Sequence, residues 1–375
     1  MQEGDIMLKK FSVKNFKGFE NELVFDLSKT NDYQFNKQCI NNGISKNSLI
    51  YGKNGSGKSN LGFALFDIVM TITDKSREMF VEYNNYKNLN NDIMENVEFK
   101  YEFKFDDDIL VYEYKKKDLY TMIYEKLIFN DNVILEYDFN NKDRKIINIE
   151  EAKNLNWLNE ESNQNISIVK YIYNNTILAP EHPISKLMSF VNGMLWFRSV
   201  QFNQYMGFMN GTENLIDIIL KNNKLKDFER FLREKEIDYE LIPLQESTGN
   251  KIGIKFKKGV GNFESIISTG TKSLLLYYCW SLRFEKMNFV FIDEFDANYH
   301  FELSAEIIKF LNEQKNLQTI VTTHNVSLMT NKITRPDCVY IISNNKINNL
   351  SNCTDKELRE AHNIEKLYRE GCFTD

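Results

Sequence analysis

The chain has few of the residues that build metal centres and disulfide frameworks. Its 375 residues include only four histidines and five cysteines. The cysteines are widely spaced, and no CxxC pair or Cys/His cluster is present, so the sequence supports neither a zinc site nor a set of disulfides. These residues are Cys39, Cys279, Cys338, Cys353 and Cys372, and His182, His300, His324 and His362. Dispersed cysteines are typical of a reduced protein, and we expect a cytoplasmic location.

Positive charge in excess and long apolar runs are also missing. The chain carries 47 Lys and Arg against 53 Asp and Glu, a net charge of -6, which is unlike a strongly basic nucleic-acid binder, although a local basic groove is compatible with it. The apolar stretch LGFALFDIVM is too short and interrupted to span a bilayer, and MQEGDIMLKKF at the N-terminus does not resemble a signal peptide. We therefore expect no membrane partner. No heptad pattern continues far enough for a coiled-coil arm.

The pattern of apolar residues predicts an α/β fold. Residues 8–27 predict two strands, and the short apolar segment SLIYG predicts a third, followed by a helix. Residues 97–149 alternate as in an antiparallel meander, residues 150–247 contain an amphipathic helix pair, and the last third alternates buried strands with helices, as in a parallel sheet. The predicted parts are an N-terminal lobe (1–149) with an antiparallel β subdomain, a largely helical insertion (150–250), and a C-terminal lobe (251–375) that completes a mainly parallel core sheet.

The segment GKNGSGKS has the pattern of a phosphate-binding loop. It matches GxxxxGK[ST] and stands between a predicted strand and a predicted helix, the context that the motif requires. Glycines let successive backbone N–H groups point at phosphate oxygens, and the helix adds the positive end of its dipole. We expect Lys58 to contact the β- and γ-phosphates of ATP and Ser59 to be a ligand of Mg²⁺. The predicted nucleotide-binding residues are Gly52, Lys53, Asn54, Gly55, Ser56, Gly57, Lys58, Ser59 and Asn60.

A second motif, FVFIDE, is an apolar run that ends in two carboxylates. Such runs are common at strand ends, but in a chain with a phosphate-binding loop this one indicates a Walker B motif. We expect Asp293 to complete the Mg²⁺ site with Ser59, and Glu294 to orient and deprotonate the attacking water.

Three weaker motifs lie around the Walker B segment. STGTKS, which begins at Ser268, precedes a predicted helix and in isolation is most simply a helix cap. FDANYH, which begins at Phe295, directly follows the Walker B strand, and TIVTTHN is a buried strand that ends at His324. A lone histidine is more often structural than functional, so these motifs gain meaning only from their order.

In this order the motifs resemble those of ABC-type ATPases. FSVKNFKGF followed by NGSGKSN resembles the RecF/SMC/OLD branch, and DEFDANYH, TTHN and HNIEKLYREGCF are similar to the stand-alone AAA-type ATP-binding proteins of bacterial anti-phage defence systems. The resemblance covers about residues 8–70 and 260–375 and implies a two-lobed ATPase, two copies of which enclose ATP between the phosphate-binding loop of one and the signature of the other. The implied residues are a signature acting in trans (Ser268, Thr269, Gly270, Thr271 and Lys272), a D-loop (Asp296, Asn298 and His300), and a γ-phosphate switch (His324).

Two positions depart from the family pattern. Ile267 stands where a leucine often precedes the signature serine. No glutamine has an obvious Q-loop position, because Gln201 and Gln204 lie far from the strand where it is expected.

Several functions are compatible with such a chain. We expect an ATPase that forms a homodimer or larger homo-oligomer and regulates an effector protein encoded nearby, with residues 150–247 as the partner surface. The alternative is a DNA-binding RecF/SMC-like ATPase in DNA repair or chromosome maintenance. Its candidate basic groove consists of lysines within 115–117 and 251–258, which solvated strand ends explain more simply. A nuclease of the OLD type is disfavoured, because the roughly fifty residues after His324 contain no acidic metal-binding cluster. A transporter subunit is disfavoured by the long insertion and the N-terminal strands.

Overall fold

The computed structural model describes residues 6–73, 75, 85–92, 94–141, 145–155, 166–199, 204–207, 214–246, 249–296 and 301–373. These residues form two seven-stranded sheets, two small sheets and surrounding helices. One large sheet is mainly parallel and the other is antiparallel, so the predicted α/β class is confirmed.

The first elements build the antiparallel sheet and the start of the parallel one. In chain order they are β1 (Ile6–Lys14), β2 (Leu23–Asp26), β3 (Ile40–Asn41), β4 (Ile44–Ser45), β5 (Asn47–Tyr51), α1 (Lys58–Ile72), β6 (Val97–Phe105), β7 (Asp108–Lys116), β8 (Met122–Phe129), β9 (Asn132–Asp138) and β10 (Lys145–Ile147). The antiparallel sheet has the order β10-β9-β8-β7-β6-β1-β2, so the predicted meander is confirmed and the two N-terminal strands extend it. Along β6, buried side chains alternate with less buried ones, because one face of this sheet covers the core.

The later elements complete the parallel sheet. They are α2 (Ile168–Asn175), α3 (Pro183–Asn192), β11 (Met194–Ser199), β12 (Gln204–Gly207), α4 (Leu215–Lys221), α5 (Leu225–Glu234), β13 (Leu241–Glu246), β14 (Gly249–Phe256), β15 (Gly259–Asn262), α6 (Phe263–Ile266), α7 (Thr269–Ser281), β16 (Phe289–Ile292), α8 (Phe301–Glu313), β17 (Gln318–Thr323), β18 (Val339–Ser343), β19 (Lys346–Asn349) and α9 (Ile364–Arg369). The amphipathic helix pair is present as α4 and α5. β11 lies within the range predicted as the insertion, yet it pairs with β16 in the core sheet. The domain boundaries themselves stay a prediction.

The parallel sheet positions the motifs. Its strand order is β12-β11-β16-β17-β5-β18-β19, and the five inner strands run parallel to one another. Every residue of β5, β16 and β17 is buried, as expected for strands covered on both faces. Because these three neighbours are parallel, the segments that follow them meet at one edge of the sheet, where open α/β sheets bind ligands.

Helix α1 is packed between the two large sheets. Eleven of its 15 residues are buried, which is why its apolar positions extend beyond a single face. One hydrophobic core joins α1 to the antiparallel sheet and to Trp196 and Phe291 of the parallel sheet, and a second core covers the other face of the parallel sheet with α4, α5, α7 and α8. None of the described helices combines the length and the apolar character needed to cross a bilayer.

Candidate site for nucleotide binding and hydrolysis

The phosphate-binding loop joins β5 to α1, and two glycines determine its shape. Gly55 and Gly57 have φ angles of 77° and 105°, in the left-handed region that favours glycine. A Cβ atom at Gly57 would lie 2.9 Å from the ring of Phe19. Phe19 closes a tight turn through two backbone hydrogen bonds with Phe16, of 3.0 and 2.8 Å. The N-terminal segment FKGF therefore packs directly against the loop.

Lys58 begins α1 and is held inside the loop. Its side chain is buried, and Nζ donates hydrogen bonds to the carbonyl oxygens of Gly52 and Lys53, at 2.8 and 3.2 Å. Burial lowers the pKa of Lys58, while the negative charges of Asp293 and Glu294 act in the opposite direction. The ammonium thus lies between the loop carbonyls and the Walker B carboxylates.

Ser59 and Asp293 have the arrangement expected of two magnesium ligands. The Ser59 hydroxyl is hydrogen-bonded to the Asp293 carboxylate, which is buried at the end of β16. The Asp293 backbone N–H donates to the carbonyl of Phe197 in β11, at 3.0 Å. Burial raises the pKa of Asp293, and hydrogen bonds from Thr322 and Ser59 partly oppose that shift. A hydroxyl and a carboxylate that already converge are hard oxygen ligands that fit Mg²⁺.

Glu294 and His324 face each other beside this site. Glu294 Oε1 lies 3.6 Å from His324 Nε2, and both side chains are exposed to solvent, by 56% and 41%. The backbone of Glu294 has a φ of 49°, a left-handed conformation that costs a non-glycine residue about 1–3 kcal/mol. This conformation bends the chain away from β16 directly after Asp293.

Asp296 is the one predicted D-loop residue that the structure describes. The Thr323 hydroxyl is hydrogen-bonded to its carboxylate and also accepts the backbone N–H of Asn325, at 2.9 Å. Burial raises the pKa of Asp296, and the bond from Thr323 lowers it. Asn298 and His300 lie outside the described residues, so their roles stay predictions.

Within a single chain, Ser268 caps the N-terminal end of helix α7, and residues 269–272 begin that helix. The Ser268 Oγ accepts the backbone N–H of Thr271 at 3.2 Å and lies 3.0 Å from the Thr271 hydroxyl. Helix α7 packs against α4 and α5, and among the described residues no hydrogen bond or ion pair joins this segment to the phosphate-binding loop. Ser268 and Thr271 instead line a cleft of about 590 Å³, together with Glu302 and Glu306 of α8.

Sequence reasoning missed two features of the site. The first is β11, which pairs in parallel with β16 and ends at Ser199, two positions before Gln201; the position of a Q-loop glutamine stays a prediction. Gln201 itself is not among the described residues, and Gln204 begins β12. The second feature is Thr322, whose buried hydroxyl contacts both Walker B residues. The only available signal was a polar residue at the end of a buried strand.

Three of the seven lysines in the candidate basic groove form ion pairs. Lys116 is buried with its Nζ 3.0 Å from Asp67 Oδ1. Lys115 pairs with Glu98 at 3.2 Å, and Lys255 with Glu240 at 2.7 Å. Lys115 and Lys255 agree with the simpler interpretation of these lysines as solvated strand ends, whereas Lys116 contradicts it, because its side chain is buried.

Most of the chain matches one known protein family. The family model "AAA domain, putative AbiEii toxin, Type IV TA system" matches residues 48–330, a range that includes Lys58, Asp293, Glu294 and His324. No curated protein sequence matches the chain. Among solved structures, an SMC head bound to the C-winged helix domain of ScpA is 15% identical, with 91% of this chain and 97% of that chain covered and a TM-score of 0.49. The SMC head domain from Thermotoga maritima is 16% identical (91% and 97% covered, TM-score 0.42), and RecF-ATP of the RecFOR pathway is 12% identical (92% and 100% covered, TM-score 0.44).

Proposed function

The chain belongs to this family of AAA domains, and we propose that it binds ATP with Mg²⁺, dimerises around the nucleotide and hydrolyses it. The observation that carries the proposal is the meeting of four groups at one edge of the parallel sheet: Lys58 after β5, Asp293 and Glu294 after β16, and His324 after β17. Phosphate binding, metal binding and activation of water are the functions that these residue types supply when they are combined.

Nucleotide binding rests on the loop and on Lys58. In the proposed complex the backbone N–H groups of residues 52–59 surround the β-phosphate, and the Lys58 ammonium exchanges its bonds with loop carbonyls for bonds to phosphate oxygens. Ser59 and Asp293 hold Mg²⁺, which supplies neutralising charge to the β- and γ-phosphate oxygens when it is bound.

Hydrolysis rests on Glu294 and His324. The exposed Glu294 carboxylate accepts a proton from the attacking water. His324 Nε2 lies 3.6 Å from Glu294 Oε1, and we assign the His324 side chain to contact with the γ-phosphate. Glu294 lies beside His324, whereas Asp293 is hydrogen-bonded to Thr322 and Ser59, so the base and the metal ligand have different partners.

Dimerisation would bring the segment 268–272 to a nucleotide that its own chain does not hold. Among the described residues, no hydrogen bond or ion pair joins this segment to the phosphate-binding loop of the same chain, although it offers Ser268 and the N-terminal end of the 13-residue helix α7, both of which suit a phosphate. We assign it to the nucleotide held by a second copy of the chain. Light scattering on Glu294→Gln with ATP tests this assignment: the mass should double with ATP and stay that of one chain without it. An unchanged mass with saturating ATP contradicts a dimer enclosing ATP.

The dimer is proposed to regulate a partner effector protein in the cytoplasm, in a bacterial anti-phage defence system. The support is the resemblance of the motifs together with exposed apolar side chains in the range 150–250, among them Ile177, which is 97% exposed between α2 and α3. The alternative, a DNA-binding RecF/SMC-like ATPase, is weakened by the ion pairs of Lys115, Lys116 and Lys255. ATP turnover with and without double-stranded DNA separates the two: the effector role predicts no change, and the DNA role predicts stimulation that high salt removes.

A further inference from the structure

We propose that Thr322 is a positioning residue, whose single hydroxyl holds the metal-binding and the water-activating carboxylates of the Walker B segment in fixed relation. The inference rests on the proposed ATPase function and deepens it. It concerns how two adjacent acidic residues are kept in two different orientations.

The Thr322 hydroxyl makes two directional contacts at once. Its side chain is fully buried near the end of β17. Oγ1 donates a hydrogen bond to Asp293 Oδ1 at 2.6 Å and accepts the backbone N–H of Glu294 at 2.8 Å. A hydroxyl can donate only one hydrogen bond, and here it donates that bond to Asp293. The contact with the Glu294 N–H therefore uses a lone pair of the same oxygen.

The second contact supports a strained backbone. The ladder between β16 and β17 ends at the pair Ile292–Val321, one residue before Asp293 and Thr322. Beyond this point Glu294 is in the left-handed region, with a φ of 49°, which non-glycine residues seldom adopt. Two hydrogen bonds tie the turn to β17: the Glu294 N–H to the Thr322 hydroxyl, and the Phe295 N–H to the Thr322 carbonyl at 3.3 Å.

The first contact fixes the metal ligand. Asp293 Oδ1 accepts a hydrogen bond from the Thr322 hydroxyl, and the carboxylate is also hydrogen-bonded to Ser59 of the phosphate-binding loop. Together these bonds restrict rotation of the carboxylate about its Cβ–Cγ bond. Without the hydroxyl, the Asp293 carboxylate keeps its bond with Ser59 but loses the one from Thr322, and Glu294 loses the acceptor for its N–H. Misplacement of a reacting group by about 1 Å costs on the order of 10²-fold in rate. Among the described residues, no hydrogen bond joins Thr322 to the phosphate-binding loop or to Lys58, so the affinity for nucleotide without Mg²⁺ should change little.

The test compares Thr322→Val, which removes the hydroxyl at nearly constant shape, with Thr322→Ser, which keeps it. Thr319→Val is the matched control, since the Thr319 hydroxyl is also buried on β17 and donates to a side chain, Asn47 Oδ1, at 2.6 Å. We expect Thr322→Val to lower kcat by about 10²-fold and to raise KM for ATP in Mg²⁺ by about 10-fold. Thr322→Ser and Thr319→Val should both stay within about 5-fold of the wild-type kcat.

A binding measurement gives a readout that does not depend on turnover. A fluorescent ATP analogue is titrated in EDTA and again in Mg²⁺. In EDTA all variants should bind alike, and in Mg²⁺ only Thr322→Val should lose affinity, by about 10-fold, because only its Asp293 is released. If Thr322→Val unfolds at too low a temperature for study, Thr322→Ala replaces it and is compared with the same Thr322→Ser variant.

Three results overturn the inference. Thr322→Val with wild-type kcat and wild-type magnesium dependence shows that the hydroxyl positions nothing. An equal loss of kcat in Thr319→Val shows that any buried hydroxyl of β17 matters only for folding. A Thr322→Ser variant that is as impaired as Thr322→Val shows that the hydroxyl is not the cause. If the wild type binds the analogue with Mg²⁺ but does not hydrolyse ATP, hydrolysis fails as the proposed function, and the EDTA and Mg²⁺ titrations still decide the role of Thr322.

Discussion

Replacement of Lys116 by methionine is expected to destabilise the fold strongly, although the residue lies in a run of three lysines. Its ammonium is 3.0 and 3.2 Å from the two carboxylate oxygens of Asp67 on α1, and the two side chains are 3% and 1% exposed. Asp67 also accepts hydrogen bonds from the hydroxyls of Tyr86 and Tyr114, both at 2.8 Å, and of Thr71 at 3.0 Å. The cluster joins α1, which carries the phosphate-binding loop, to the antiparallel sheet.

The magnitude follows from the charge that the substitution leaves behind. Removal of one partner of a buried ion pair costs about 3–5 kcal/mol, because the other charge stays buried without compensation. The three hydroxyl donors remain around Asp67, so we expect the lower end, about 3 kcal/mol. Lys115→Met is the matched control on the same strand: its partner Glu98 is 3.2 Å away, both side chains are about 40% exposed, and such pairs contribute less than about 1 kcal/mol.

Urea unfolding is the assay, followed by tryptophan fluorescence and by far-ultraviolet circular dichroism. Two probes are compared because a chain of 375 residues can unfold in more than one step. The double variant Asp67→Leu/Lys116→Met leaves no buried charge, but it removes the acceptor of the Tyr86 and Tyr114 hydroxyls, so it should recover only part of the loss. Equal midpoints for Lys116→Met and Lys115→Met would refute the reasoning.

Three further predictions concern the core and the loop. Gly62→Ala should cost about 1–3 kcal/mol in urea unfolding, since its Cβ would lie 2.8 Å from the ring of Trp196 and 2.9 Å from that of Phe291; an unchanged midpoint contradicts this packing. Lys58→Ala should abolish ATP binding in a fluorescence titration while the melting temperature without ATP stays near that of the wild type, and retained affinity speaks against the loop assignment. Burial raises the pKa of Glu125 above its ordinary value of 4.5, so its contribution to stability is fully present below that pH and falls as the pH rises through the folded pKa. The urea midpoint of the wild type should therefore decrease relative to that of Glu125→Gln as the pH rises above 4.5, and a constant difference contradicts it.

The parts of the fold that the sequence predicts are those encoded locally. GKNGSGKS carries its own glycines and its flanking strand and helix, and the apolar run before Asp293 identifies a buried strand. The alternation of the meander is equally local, since the period of two along β6 needs no knowledge of its neighbours. For these reasons the α/β class and the antiparallel sheet could be predicted.

The features that sequence reasoning missed depend on contacts between distant segments. β11 follows α3 after a single residue, and its place beside β16 becomes visible only when the sheet is assembled. Lys116 shares the inward face of β7 with Tyr112 and Tyr114, a pattern that the lysine run obscures. Thr322 looks like one of many strand threonines, because its hydroxyl acquires a role only when β16 lies next to β17.

ATP turnover by the purified wild type and by Glu294→Gln, measured as phosphate release beside the affinity for labelled ATP, tests the central claim most directly. The account predicts that both proteins bind ATP with similar affinity, because Glu294 belongs neither to the phosphate-binding loop nor to the metal ligands. It also predicts that the variant hydrolyses ATP about 10²–10⁴-fold more slowly, the loss expected when a general base is removed. A variant that binds ATP and hydrolyses it at the wild-type rate would contradict the assignment of Glu294 and the catalytic site built around it.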